Sequence, residues 1–184
     1  MRDVIQGFIK QFEYYRRLGE ESLNRVSESQ LFYQPVDESN SLAVIAKHIS
    51  GNMLSRWTDF LSTDGEKPWR HRDREFVMDW TSRQEVMAYW NQGWTTLIGA
   101  LGQLTDEQLN DMVTIREQKH TVLEAIHRQL AHYPYRIGQM VYLSKMMVGK
   151  DWKSLSIPKG ESEQFNDEKK ASGKHGGHYT DGLR

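Results

Sequence analysis

The chain has 184 residues, 24 of them basic and 25 acidic, for a net charge of −1, and 38% of its residues are apolar. Near-neutral charge argues against a general polyanion binder. The absence of cysteine excludes a disulfide scaffold, a thiolate metal site and a cysteine nucleophile. No apolar run approaches the ~18 residues of a membrane span and the start MRDVIQGFIKQ has no secretory pattern, so one cytoplasmic domain is expected. Six Trp, eight Tyr, six Phe and eight Met supply large core-filling side chains.

Four long segments carry apolar residues at helical spacing. The first runs from about Arg2 to Val26 through Val4, Ile5, Phe8, Ile9, Phe12 and Tyr15, and is broken by Ser27-Glu28-Ser29 and Pro35. The second opens at Asn40 or Ser41, both good N-caps, and should stop near Thr63-Asp64-Gly65. The third starts near Thr81 or Ser82 and runs through Trp90, Trp94 and Leu97 to Leu104. Thr121 followed by Glu124 is a capping box that opens the fourth, which continues to Gly149. Pro134 inside it predicts a kink beside His132.

Two connections are long. Residues 64–80 are too long and too charged for a tight turn, with RHRDR read as a solvated loop, and residues 105–120 read as a helical turn followed by an extended stretch. Strand alternation is insufficient for a sheet. From Lys159 onward there is almost no aliphatic side chain, so this segment cannot offset its ordering entropy by burial. The expected architecture is all-α: a four-helix bundle with crossover connections over residues 1–158, and a flexible polar tail over 159–184.

Seven histidines are scattered along the chain. At 100° per residue, His132, Arg136 and Gln139 form one stripe beside the apolar arc of the fourth helix. His48 stands in the same relation to the apolar face of the second. His127 lies about 140° from His132 and cannot converge with it. A shoulder histidine is equally a hydrogen-bonded structural residue. His71 reads as solvated, and His175 and His178 in the tail would hold a stray metal only weakly. Lys67, Arg70, Arg72 and Arg74, with Trp69 and Phe76, mix basic and aromatic residues as single-strand binders do. Asp64, Glu66, Asp73, Glu75 and Asp79 cancel that charge, and a nucleic-acid partner is not expected.

The segments LAVIAKHISGNMLSRWTDFLSTDGEKPWR, RQLAHYPYRIGQMVYLSKMM and WKSLSIPKG resemble the DinB/YfiT-like superfamily, and within it a bacterial subfamily of unknown function. The resemblance covers about residues 1–165. It implies a four-helix bundle, often a homodimer, and a metal-dependent enzyme of the thiol S-transferase or hydrolase class. Characterised relatives include bacillithiol S-transferase and mycothiol-dependent maleylpyruvate isomerase. Those proteins hold a divalent metal, zinc, nickel or similar, with one histidine from the second helix and an H-x-x-x-H pair on the fourth. The matching positions here are His48 and His132, while the third falls on Arg136.

A guanidinium has no lone pair to give a metal and stays charged. Two imidazoles alone are short of the three protein ligands usual for catalytic zinc. Three readings follow from the residues. In the first, His48 and His132 hold a metal with another group; in the second, a metal-free pocket of His48, His132, Arg136 and Gln139 binds a small anion; in the third, the bundle is a non-catalytic dimer that binds a partner.

Overall fold

Asp3 starts the first helix, its carboxylate accepting the Gln6 amide at 3.0 Å. In the structure, a computed structural model that describes residues 3–173 and 176–181, helix α1 spans Val4–Asn24. Its unpaired Val4 and Ile5 amides donate to Asp106, at 2.9 and 3.0 Å. A short α2 (Glu28–Leu31) follows, capped by Ser27 and Gln30. Then come α3 (Leu42–Trp57), α4 (Arg83–Gly102) and α5 (Val122–Val148). Ser41 caps α3, and the capping boxes Ser82/Glu85 and Thr121/Glu124 open α4 and α5. Gly149, with φ of +65°, ends α5 in a conformation that favours glycine.

The chain is mostly helical, and the four long segments expected from periodicity correspond to α1, α3, α4 and α5. α3 packs chiefly on α4 and α1 chiefly on α5. Trp90, Trp94, Tyr133 and Phe12 fill the centre of one core, with Trp90 and Trp94 edge-to-face at 5.5 Å. α3 and α4 approach so closely that a Cβ on Gly93 would lie 2.9 Å from Ser50 Cα. All sixteen residues of α3 are buried, so no solvated face separates its polar residues from the interior. Pro134 sits inside α5 without ending it. Among the described residues, no helix is long and apolar enough to cross a membrane.

Several expectations need correction. α3 stops at Trp57, short of Thr63, because Thr58 turns extended and Asp59 adopts φ of +48°. The 105–120 connection does contain a sheet: β1 (Met112–Ile115) and β2 (Gln118–Thr121) pair antiparallel with Ile115 opposite Gln118. Only Val113 and Ile115 are fully buried on this hairpin, too short an alternation to stand out against the helical pattern. In the tail, α6 (Ser162–Ala171) forms and buries no residue.

A cationic cleft between α3, α5 and the α3–α4 strap

The charged connection after α3 folds inward rather than into solvent. Lys67, Arg70 and Glu75 are buried, although His71 and Arg74 beside them are exposed. A 3-10 turn, Arg72–Phe76, lays Glu75 against α3. Gly51 makes this docking possible, since a Cβ there would meet Glu75 Oε1 at 2.5 Å.

His48, one turn before Asn52 on α3, reaches the same spot. Its Nδ1 lies 2.8 Å from Glu75 Oε2. The carboxylate is also gripped by Arg70, whose Nε donates to Oε1 at 2.8 Å and Nη2 to Oε2 at 3.1 Å. Burial pushes the Glu75 carboxyl up, but the hydrogen bonds from His48 and Arg70 outweigh it and hold it below its usual range. Glu75 is therefore a pure acceptor at neutral pH, so the proton in the pair sits on His48 Nδ1.

His132 of α5 faces His48 edge-on, ring centroids 5.4 Å apart. Burial, then the charges of His48, Arg136 and Arg70, lower its pKa from 6.5 to about 4. It is neutral at pH 7. Below these rings Trp57 Nε1 donates to Tyr133 Oη at 3.2 Å, and Tyr133 Oη donates to Asn52 Oδ1 at 3.0 Å. That chain fixes the Asn52 amide with its NH2 group free.

The rings open onto a cleft of about 260 Å³. Arg56, Arg70, Arg72, Arg116, Arg128 and Arg136 line it together with His48 and His132, and Asn52 and Gln129 complete the wall. No apolar side chain takes part. Gln129 is buried, and its Oε1 has no hydrogen-bond partner.

The arginines fall into two sets. On the strap and hairpin side, Glu66 Oε2 takes Arg56 at 3.0 Å, Arg70 at 3.4 Å and Arg116 at 3.0 Å. Glu75 takes Arg70, and the exposed Arg72 meets Asp73 at 3.4 Å. Asp64 accepts the Arg116 and Glu117 amides, each at 2.8 Å, which ties the hairpin tip over the cleft. Three of these carboxylates, Glu66, Glu75 and Asp73, between them ion-pair with all four guanidiniums. On the α5 side, Arg128 and Arg136 have no carboxylate within ion-pair distance among the described residues. Arg136 contacts Gln139 at 3.4 Å and lies 5.4 Å from the Tyr135 ring centre.

Of the residues singled out in the sequence, His48, His132 and Arg136 meet in this cleft. Gln139 touches Arg136 but does not line it. His127 packs edge-on against Phe8 at 5.6 Å, His178 engages Thr180 at 2.7 Å, and His175 lies outside the described residues. The reading of RHRDR as solvated missed the burial of Arg70, and Glu75 was read only as a charge that cancels the basic loop. Also missed were the polar ladders His48–Asn52–Arg56 on α3 and Arg128–His132–Arg136 on α5, both at four-residue spacing and hence on one face each.

The donor set falls short of the three protein ligands usual for catalytic zinc. It offers two imidazoles, a carboxylate whose oxygens are both engaged by Arg70 and His48, and a guanidinium at the third position. Among the described residues, no group of three or more His, Asp or Glu side chains is arranged to hold a metal ion. No curated protein and no solved structure matches the chain. The model of one family, described as protein of unknown function (DUF1572), matches residues 1–161, and the chain belongs to that family.

Proposed function

We propose that the protein binds a small anion in the cleft, through Arg136 and Arg128, without a metal. The observation that carries this reading is the pair of arginines left uncompensated where the other four guanidiniums are matched by carboxylates. Guanidinium forks suit carboxylate and phosphate oxygens. A neutral His132 between Arg128 and Arg136 adds hydrogen-bonding capacity without further charge. The test is thermal: inorganic phosphate and acetate should raise the melting temperature, more than sodium chloride of equal ionic strength does. Arg136→Ala should abolish the rise. An equal rise in that variant would remove the site from consideration.

The order of four long helices with two long connections supports reading the fold as a DinB/YfiT-like four-helix bundle. A homodimer is supported by the exposed Tyr135, Tyr142 and Met146 on α5, spaced seven and four residues apart. Light scattering on the purified chain distinguishes dimer from monomer.

A second reading, a metal-dependent enzyme with His48 and His132 as ligands, is favoured by one feature. Glu75 on His48 Nδ1 is the kind of partner that orients metal-binding imidazoles. It predicts stoichiometric zinc or nickel in the purified protein, lost in His132→Ala. Metal bound only by Arg136→His would exclude it for the natural chain.

A further inference from the structure

The cleft wall has a chemistry that narrows its ligand beyond charge. Ligand sites are usually apolar pockets with a few polar groups, and usually offer about 300–1,000 Å³. This one is smaller, about 260 Å³, and every lining side chain is polar. It has nothing on which a hydrocarbon chain or aromatic body would be desolvated favourably.

Away from Arg128 and Arg136, the wall presents donors and acceptors side by side. Asn52 offers its NH2, because Tyr133 occupies its Oδ1. His48 presents its second ring nitrogen, Nε2, because Nδ1 is held by Glu75. Gln129, 3% exposed, carries an Oε1 with no partner, and leaving such a group unsatisfied is costly. A hydroxyl is the one common ligand group that donates to an acceptor and accepts from a donor at the same atom.

We infer that the cleft takes a small, hydroxyl-rich acid, a polyol bearing one carboxylate or phosphate, and this rests on the anion reading above. The anionic group lies on Arg136 and Arg128, and the hydroxylated carbons point toward His48, Asn52 and Gln129. Amphiphilic or aromatic acids of the same charge are rejected, because their bodies would strip water from these groups without replacing the hydrogen bonds.

The experiment is titration calorimetry with two matched pairs of acids, glycerate against propionate and gluconate against hexanoate, with inorganic phosphate as the probe for the anion site itself. Glycerate and gluconate should bind at least tenfold more tightly than propionate and hexanoate. Gln129→Met, close in size but without the amide, should reduce that preference severalfold. If Gln129→Met does not fold, the ligand series on the natural chain decides alone. Phosphate binding with no preference for the hydroxylated acids overturns this inference and leaves the anion site standing. No binding of any probe overturns both.

Discussion

Gly51 and Glu75 occupy complementary positions: the space a Cβ would fill on Gly51 is taken by Glu75 Oε1, 2.5 Å from it. Glu75 cannot swing aside, because Arg70 and His48 hold both of its oxygens. Gly51→Ala would otherwise be favoured inside a helix, by about 1 kcal/mol. Here it should destabilise the protein by about 1–3 kcal/mol, the usual cost of overpacking. Urea denaturation measures this, and unchanged or raised stability would mean the strap does not dock as described.

Glu75 itself should be among the most sensitive positions. Its removal leaves Arg70, whose side chain is 2% exposed, with only the shared and longer contact to Glu66. Breaking a buried pair on one side costs about 3–5 kcal/mol, whereas replacing both partners by apolar groups is often far cheaper. Glu75→Leu should therefore be much worse than the double variant Arg70→Met/Glu75→Leu. A double variant no better than Glu75→Leu would show that the pair's charges are not what matters.

Stability should fall as the solution is acidified, in two stages. His132 has a folded pKa of about 4 against 6.5 when free. Between those values the unfolded chain binds a proton that the native chain does not, so stability drops as pH falls from 6.5 toward 4. Glu75 is depressed in the folded state. Its contribution is complete above about pH 4.3, the free glutamate value, and is lost as pH falls through the folded pKa. His132→Gln should flatten the melting temperature between pH 4 and 6.5 and leave the steeper loss below it. An unaltered slope in His132→Gln would assign the acid sensitivity elsewhere.

The β1–β2 turn is made by Arg116 and Glu117, with φ of +54° and +62°. Both would prefer glycine or asparagine in this two-residue hairpin loop. Non-glycine residues in that region cost about 1–2 kcal/mol. Glu117→Gly keeps the amide that donates to Asp64, and should raise stability by about 1 kcal/mol in denaturant melts. A loss of stability would indicate that the Glu117 side chain makes a contribution beyond the turn.

The long elements were readable because capping boxes at Ser82/Glu85 and Thr121/Glu124 and three-to-four spacing are local signals. The strap was not. Whether Arg70 and Glu75 are solvated or buried depends on a gap left by Gly51, nineteen and twenty-four residues earlier in the chain, and no local pattern carries that information. His48, His132 and Arg136 were legible as shoulder residues, and they do converge. Arg128, Gln129 and Asn52 were available as neighbours in the same helical stripes. Their role became clear only once the hairpin tip and the strap were seen to close the other side of the cleft.

The most direct test of the central claim is calorimetric titration of inorganic phosphate into the full chain, and into Arg128→Ala, Arg136→Ala and the double variant, at low ionic strength. The α5 arginines lack carboxylate partners, so removing them should not uncover a buried countercharge, and all four proteins should fold. The account predicts saturable one-to-one binding to the natural chain. It predicts at least tenfold weaker binding when Arg136 is replaced, with no detectable binding to the double variant. Equal affinity in all four proteins, or no saturable heat with any of them, would contradict it.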